Sequence, residues 1–193
     1  MSKLISFDFD DTLCLTPLES TGKVIWKEKT GTEWPYIGWW SKPESLWLED
    51  PETGKEIFKI PVNDWVYKYY LDTIEDEDNH VILATGRIEA LREEVKKVLN
   101  NLNISFEDED LYLNWGGDTF KFKRKLFTNL IIEEKPEEFI MYDDRQAHLP
   151  MFVDWALLIT DKFEGLKITV VDVVNKTSQS IVNGKKKDLI FLN

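Results

Sequence analysis

Residues 5–13 read Ile-Ser-Phe-Asp-Phe-Asp-Asp-Thr-Leu, and this stretch decides the fold. It is an apolar run that ends in acids, with Asp8 and Asp10 two positions apart. Side chains at i and i+2 of an extended strand lie on the same face, so both carboxylates emerge together where the strand ends. A divalent cation relieves their repulsion, and such oxygen-rich sites suit Mg²⁺, which also takes ligands from phosphate. The same pattern is compatible with acids that only cap a helix or start a turn.

The composition indicates one folded domain with room for an inserted lobe. The chain has 193 residues, of which 31% are charged and 42% hydrophobic, and this excludes a wholly disordered protein. No apolar run approaches the ~20 residues of a membrane span, and the N-terminus lacks the pattern of a signal peptide. We therefore expect a cytoplasmic protein, with a nuclear location also open, and no contact with a membrane. Cys14 is the only cysteine, which excludes an internal disulfide and a cysteine-based zinc site.

The net charge of −12 argues against broad adhesion to nucleic acid, because that binding depends on cationic side chains that meet phosphates. A local basic groove is still possible, since Lys121, Lys123, Arg124 and Lys125 form a compact cationic run. The second cationic run, residues 185–187, is more typical of a solvated face. We expect no extended nucleic-acid footprint.

Four apolar runs have the length and composition of buried strands, at residues 3–9, 80–84, 139–142 and 156–160. A shorter strand is predicted at residues 110–114.

Helical patterns lie between these strands. One predicted helix covers residues 63–75 and a second, the clearest, follows the turn Thr85-Gly86-Arg87 and has its apolar positions at spacings of three and four from Ile88 to Leu102. A third helix is capped by Asp118 or Thr119. The apolar side of this third helix consists of Leu126, Phe127, Leu130 and Ile131.

Alternation of strand, turn and helix predicts an α/β fold with a mainly parallel sheet and helices on both faces. The core would comprise residues 1–15 and 62–165. Residues 16–61 are rich in Gly, Pro and Trp with little helical periodicity, and they predict an irregular or β-rich cap insertion. Residues 166–193 alternate around Asn183-Gly184 and predict a β-hairpin or edge strand pair that extends the core.

Parallel sheets of this kind bind ligands beyond the carboxyl ends of their strands, where the acidic and hydroxyl motifs lie. Asp8 can be a nucleophile that forms an aspartyl-phosphate, and Asp10 can protonate the leaving oxygen and then take a proton from water. Asp143 and Asp144 follow another strand. Mg²⁺ would lie between Asp8, the backbone carbonyl of Asp10 and the Asp143/Asp144 pair.

Two further groups would complete such a site. Thr85, at a strand end and a helix start, can hold a phosphoryl oxygen together with nearby backbone N–H groups. A lysine from residues 121–125 would supply the remaining positive charge. Taken singly, each group has a structural explanation, with Thr85 as a helix cap, Lys123 as a solvated side chain and the two acids as a turn. As a set they favour phosphoryl transfer.

The order of these motifs resembles that of the haloacid dehalogenase (HAD) superfamily over residues 1–160. The motifs are Asp8-x-Asp10-x-Thr12-Leu13, Thr85, a helix lysine, and Asp143-Asp144. The resemblance implies a Rossmann-like fold, Mg²⁺ as cofactor, an aspartate nucleophile and, most often, phosphatase activity on a phosphoric monoester. Asp11 is a departure, because glycine is the usual residue there, but the attacking and acid/base positions are intact.

Longer stretches are similar to a narrower family, the HAD-like domain of Swiss Army Knife RNA repair proteins. They are Gly38-Trp39-Trp40-Ser41-Lys42-Pro43-Glu44-Ser45-Leu46, Thr119-x-x-Phe122-Lys123, and Tyr142-Asp143-Asp144-Arg145-x-x-His148-x-x-x-Phe152. This similarity implies that Lys123 is the site lysine, with Lys121 as the alternative. The tail after Lys162 is not matched.

Gly86, Arg87 and Arg145 are further candidates for substrate binding. Arg145 can bind a substrate phosphate as a two-pronged donor or pair with a neighbouring acid. Arg87 has a similar choice between substrate and an acid such as Glu94. His148 is expected to cap a helix or to pack.

The hypothesis that follows is a Mg²⁺-dependent phosphatase that acts on a phosphomonoester, with an RNA or DNA end in repair as the expected substrate. A phosphatase of free nucleotides or small metabolites is an alternative. Another is a binding module that keeps the HAD fold without the reaction. The intact acids Asp8, Asp10 and Asp143 count against the last, because a retired site has no physical reason to keep such mutual repulsion.

Overall fold

The computed structural model describes residues 2–192. Its strands are β1 (Lys3–Phe7), β2 (Asn79–Ile88), β3 (Leu111–Asn114), β4 (Glu138–Asp143), β5 (Lys167–Asp172), β6 (Thr177–Val182) and β7 (Lys185–Phe191). Its α-helices are α1 (Glu19–Thr30), α2 (Asp64–Ile74), α3 (Arg92–Asn101), α4 (Thr119–Glu134) and α5 (Leu149–Lys162). Short 3₁₀ turns cover Pro43–Leu46, Glu89–Leu91 and Asp108–Asp110.

The strands form one seven-stranded sheet in the order β3-β2-β1-β4-β5-β6-β7. Strands β1 to β5 are parallel, and β6 and β7 join antiparallel at one edge. The first strand lies in the middle because its side chains are apolar on both faces: Leu4 points into one core cluster, and Ile5 and Phe7 into the other. Helices α2 and α3 cover the second face, and α4 and α5 the first. The predicted mainly parallel α/β sheet with helices on both faces is confirmed.

The C-terminal strands differ slightly from the prediction. The alternating segment after Leu166 begins with β5, a parallel strand inside the sheet beside β4. The hairpin consists of β6 and β7, and its turn is Asn183-Gly184, where both residues have positive φ values of 49° and 65°. That conformation is typical of a two-residue hairpin turn. Among the described residues, no helix is long and apolar enough to cross a membrane.

The predicted strand at residues 156–160 is wrong, because these residues belong to α5. A short apolar run does not distinguish a strand from one side of a buried helix. Phe152, Trp155, Ala156 and Ile159 are all buried, and they recur at the i, i+3, i+4 and i+7 spacing of a helix.

The insertion also differs from the prediction, because it contains the 12-residue helix α1. This helix buries Gly22 and Trp26 while its other side chains are at least partly exposed, so its apolar periodicity is weak. The insertion is packed on the main core, because its buried residues Trp39 and Phe58 belong to the same apolar cluster as Phe7 of β1.

A third correction concerns the region after Thr85. Strand β2 continues through Gly86 and Arg87 to Ile88, and α3 begins only at Arg92. The apolar face of this helix is as predicted, since Val95, Val98 and Leu99 are buried. The predicted helix start beside Thr85 is therefore absent.

Candidate active site

The parallel register brings the acidic motifs together at the carboxyl edge of the sheet. Phe7 is in register with Tyr142 on β4, so Asp8 and Asp143 emerge side by side at the ends of β1 and β4, while β2 extends beyond its register partner Leu83. The backbone N–H of Asp8 donates to the Tyr142 carbonyl at 3.0 Å, which places Asp8 next to Asp143. Two acids far apart in sequence thus share one edge because their strands are neighbours.

Lys123 lies between these acids. Its Nζ is 3.0 Å from Oδ2 of Asp8 and 2.7 Å from Oδ2 of Asp143, and its side chain is 2% exposed. Helix α4 aims it there: the carboxylate of Asp118 accepts the Lys121 N–H at 2.7 Å as the N-cap, and the turn that follows buries Lys123. Burial opposes the charged ammonium, but Asp143 and Asp8 outweigh it and raise the pKa of Lys123 above its usual value. Lys121 is exposed.

Three carboxylates can hold a metal ion here. Asp8, Asp143 and Asp144 each offer an oxygen, and these oxygens lie within 4.8 Å of one another. Burial, opposed by Lys123 and reinforced by Asp143 and Asp144, raises the pKa of Asp8 well above its ordinary value. Burial and the nearby Asp143 raise the pKa of Asp144 to about 6. This set of clustered carboxylate oxygens fits Mg²⁺, which would favour the ionised forms.

Asp10 has a different environment. Its carboxylate accepts hydrogen bonds from Arg87 Nε, at 3.1 and 3.0 Å, and from Arg87 Nη2 at 2.8 Å. The Thr16 hydroxyl donates to the same carboxylate at 2.6 Å. Asp10 lies outside the group of three possible metal-ligating carboxylates. Of the two alternatives left open for Arg87, the structure shows pairing with an acid, and that acid is Asp10 rather than Glu94.

Arg87 also connects the insertion with Asp10. Its Nη1 donates to the Ser45 hydroxyl at 2.7 Å and to the Trp40 carbonyl at 3.0 Å, and its side chain is only 1% exposed. The guanidinium carbon lies 4.9 Å from the centre of the Trp40 ring. A single side chain from β2 therefore holds both Asp10 and a segment more than forty residues away in sequence.

Thr85 and Gly86 have separate positions. Thr85 is fully buried, and its hydroxyl accepts the Arg87 N–H at 3.1 Å, so it supports the end of β2 rather than a helix start. Gly86 lines the cavity described next. A Cβ at Gly86 would lie 2.9 Å from Oγ1 of Thr119, so this position needs a glycine.

A cavity of about 360 Å³ opens over these groups. The predicted residues that line it are Asp8, Asp10, Gly86, Arg87, Lys123, Asp143, Asp144 and Arg145. Four other lining residues were not predicted from the sequence, namely Asp11, Leu18, Trp40 and Thr119. Trp40 lies in the stretch 38–46, which resembles the RNA repair family, and this resemblance was the one sequence feature that could have indicated its place at the site.

His148 is buried and its ring centroid lies 6.0 and 6.2 Å from those of Phe120 and Phe152, which confirms the predicted packing role; it also lines the cavity, which was not predicted. It occupies the N-cap position of α5, but its side chain makes no capping hydrogen bond, and its buried Nδ1 has no partner among the described residues. Burial and the Arg145 guanidinium lower the pKa of His148, so its ring is neutral at pH 7.

The backbone conformation at Asp11 accounts for the glycine that is usual at this position in the HAD superfamily. Its φ is +52°, in the left-handed region that glycine adopts without strain. Burial and the neighbouring Asp10 raise the pKa of Asp11 to about 6. The residue thus adds both backbone strain and a fifth carboxyl to an acidic site.

The sheet order, the acids at neighbouring strand ends and the lysine between them define a HAD-type domain. A family model described as HAD domain family 1 in Swiss Army Knife RNA repair proteins matches residues 20–185, and the chain belongs to this family. The match confirms the resemblance and extends past Lys162, where we expected it to end. Asp8 and Asp10 precede the matched residues. Searches of curated proteins and of solved structures found no match. Membership implies a phosphatase-type hydrolase with a phosphorylated substrate.

Proposed function

We propose that this protein is a Mg²⁺-dependent phosphatase that hydrolyses a phosphomonoester at a nucleic-acid end, with RNA as the expected polymer, through an aspartyl-phosphate on Asp8. The observation that supports it most strongly is the buried ammonium of Lys123, 3.0 Å from Asp8 and 2.7 Å from Asp143 beside the cavity. Burial of charged groups is energetically costly, and phosphoryl transfer would employ each of the three groups, Lys123, Asp8 and Asp143.

Asp8 is the proposed nucleophile. Its Oδ1 accepts the Phe9 N–H at 2.8 Å and its Oδ2 faces Lys123, so the carboxylate is oriented before substrate binds. Its attack on phosphorus brings two negative groups together, and the Lys123 ammonium offsets their repulsion. Mg²⁺ held by Asp8, Asp143 and Asp144 would supply further positive charge for the phosphoryl oxygens.

Asp10 is the proposed acid and base. It donates a proton to the leaving oxygen in the first step and accepts one from water in the second, which releases phosphate from Asp8. Arg87 is a positioning residue in this scheme, because its two-pronged contact fixes the orientation of the Asp10 carboxylate. Thr16 fixes the same group from another side.

The remaining predicted residues support substrate binding. Gly86 is partly exposed and lines the cavity, so its backbone can meet a phosphoryl oxygen, and Thr85 supports this part of β2. The exposed Arg145 is available to a substrate phosphate from the cavity wall.

The domain division is part of the proposal. The core, residues 1–15 and 62–165, would carry the reaction, and residues 166–193 would extend its sheet. The insertion, residues 16–61, would act as the cap, and the support for this is Trp40 in the cavity wall.

The size of the cavity bears on the substrate. A volume of about 360 Å³ suits one terminal nucleotide. The net charge of −12 likewise argues against a long duplex footprint. The same small cavity favours a second candidate function, hydrolysis of free nucleotides or small phosphorylated metabolites.

Phosphate release tests these alternatives with a 3′-phosphorylated oligonucleotide, a 5′-phosphorylated one and a mononucleotide, each with Mg²⁺. We expect turnover of at least one oligonucleotide, loss on chelation of the metal, and a fall of at least about a thousandfold in Asp8→Asn. The matched control is Asp172→Asn, which should stay active. Asp172 ends β5, the strand beside β4.

Two outcomes would contradict the proposal in different ways. Turnover of the mononucleotide alone would favour the second candidate function. Absence of turnover on all three substrates and on an aryl phosphate, with RNA binding retained, would favour a non-catalytic binding module.

A further inference from the structure

The aromatic side chains of the insertion do not all share one environment. Trp26 and Trp39 are buried, and Trp34 packs on them with ring centroids 5.0 and 4.6 Å away. Trp40 is different, because it is 41% exposed and lines the cavity over the acids. An indole that is open to solvent and lines a polar cavity has an apolar surface to offer a ligand.

The position of this indole is fixed before any ligand arrives. The Arg87 guanidinium lies 4.9 Å from the ring centre and donates to the carbonyl of the same residue at 3.0 Å. Arg87 is itself held by Asp10 and Ser45. A ring held in this way loses little conformational entropy when a ligand packs on it.

The position also defines which part of a substrate it would meet. Asp10 faces the leaving oxygen in the proposed reaction, and Arg87 contacts both Asp10 and Trp40. The indole is therefore linked through Arg87 to the acid on the leaving-group side of the site. A leaving group with a flat ring near the departing oxygen can stack there, and a nucleoside has such a ring.

We propose that Trp40 is the specificity-determining residue of the site and stacks the nucleobase of the nucleotide that carries the phosphate. This inference rests on the proposed phosphatase function and assigns its substrate class: phosphomonoesters of nucleosides are preferred over phosphomonoesters of bare sugars. Stacking of one base corresponds to about 1–3 kcal/mol, which is about a 5- to 150-fold preference in kcat/KM.

The test compares two oligonucleotides with the same terminal phosphate, one with a base on the terminal sugar and one abasic there. Wild type should prefer the base-bearing end by about 5- to 150-fold, mainly through KM. Trp40→Ala should reduce this ratio to about one, and Trp40→Phe should keep most of it. The control is Trp115→Ala, because Trp115 is 84% exposed after β3 and is not part of the cavity wall. Its ratio should equal that of wild type.

The ratio distinguishes failure of the Trp40 role from failure of the proposed phosphatase function. Equal rates on both ends in wild type, or an unchanged preference in Trp40→Ala, would overturn the role of Trp40 and leave the phosphatase intact. No release from either end by wild type would overturn the proposed function together with this inference. Since both substrates meet the same enzyme preparation, partial misfolding of a variant does not alter its ratio.

Discussion

Substitution of Arg87 by alanine should strongly destabilise the protein and also slow its turnover. The side chain is 1% exposed and binds Asp10, which is 18% exposed, through two nitrogens. Its third nitrogen binds Ser45 and the Trp40 carbonyl. Removal leaves a largely buried carboxylate without its counter-charge and opens a gap between β2 and the insertion.

The magnitude follows from burial. Breaking a buried ion pair by removal of one partner costs about 3–5 kcal/mol. For a chain of this size, 1 kcal/mol corresponds to about 2–4 °C in Tm, so we expect Arg87→Ala to lower Tm by about 6–20 °C. Arg87→Lys keeps the charge without the two-pronged geometry, so it should recover part of the stability but little of kcat.

Thermal and urea denaturation measure the effect, with Arg92→Ala as the control. Arg92 forms a similar two-pronged pair with Glu89, but these side chains are 25% and 27% exposed. Exposed ion pairs contribute about 0.2–1 kcal/mol, and the partly exposed Arg92–Glu89 pair should lie nearer to that range than to the about 3–5 kcal/mol of a buried pair. Equal losses of stability in the two alanine variants would refute the argument that burial gives the Asp10 pair its importance.

Three further predictions concern the crowded acids and the tight glycine. Gly86→Ala should lower kcat/KM at least about tenfold, because the new Cβ meets Thr119 Oγ1 at 2.9 Å, and Thr119→Ala in the same chain should restore part of it. Asp11→Gly should raise Tm by about 2–4 °C, because it removes about 1 kcal/mol of left-handed backbone strain. The third concerns pH, because the pKa values of Asp11 and Asp144 are raised from 3.8 to about 6 in the folded protein. These carboxyls bind more protons in the folded state than in the unfolded state, so the free energy of unfolding of the metal-free protein should fall as pH rises from about 4 to 6.

Each of these three has an outcome that would contradict it. A double variant no more active than Gly86→Ala would show that Thr119 is not the obstacle. An unchanged or lower Tm in Asp11→Gly would show that the left-handed backbone is not strained. A metal-free protein that gains stability over that pH range, or whose Tm rises less with Mg²⁺ at pH 7 than at pH 5, would contradict the raised pKa values.

The core of the fold could be predicted because its signals are local. An apolar strand that is buried on both faces has a continuous hydrophobic run, and β1 has one. The failures have local causes as well. Residues 156–160 are too short a stretch to show the helical spacing of α5. Helix α1 buries too few side chains to produce a helical spacing of apolar residues.

The site was predictable in part for a different reason. Acids at strand ends come together in any parallel sheet, so Asp8 and Asp143 followed from topology. Lys123 followed from the family resemblance, because lysines near it are equally cationic and periodicity did not select it. The pairing of Arg87 with Asp10 joins residues 77 apart in a chain with 36 acidic residues, and no spacing rule selects one of them.

The packing of Trp39 limits how the insertion can move. Its indole lies so close to α1 that a Cβ at Gly22 would be 2.2 Å from it, and the ring is 1% exposed. Separation of α1 from the segment that carries Trp39 would expose this indole, at a cost of about 4–6 kcal/mol for an area of roughly 150–250 Å². The insertion should therefore keep its internal packing during turnover, so that α1 and the Trp39 segment move together as one unit.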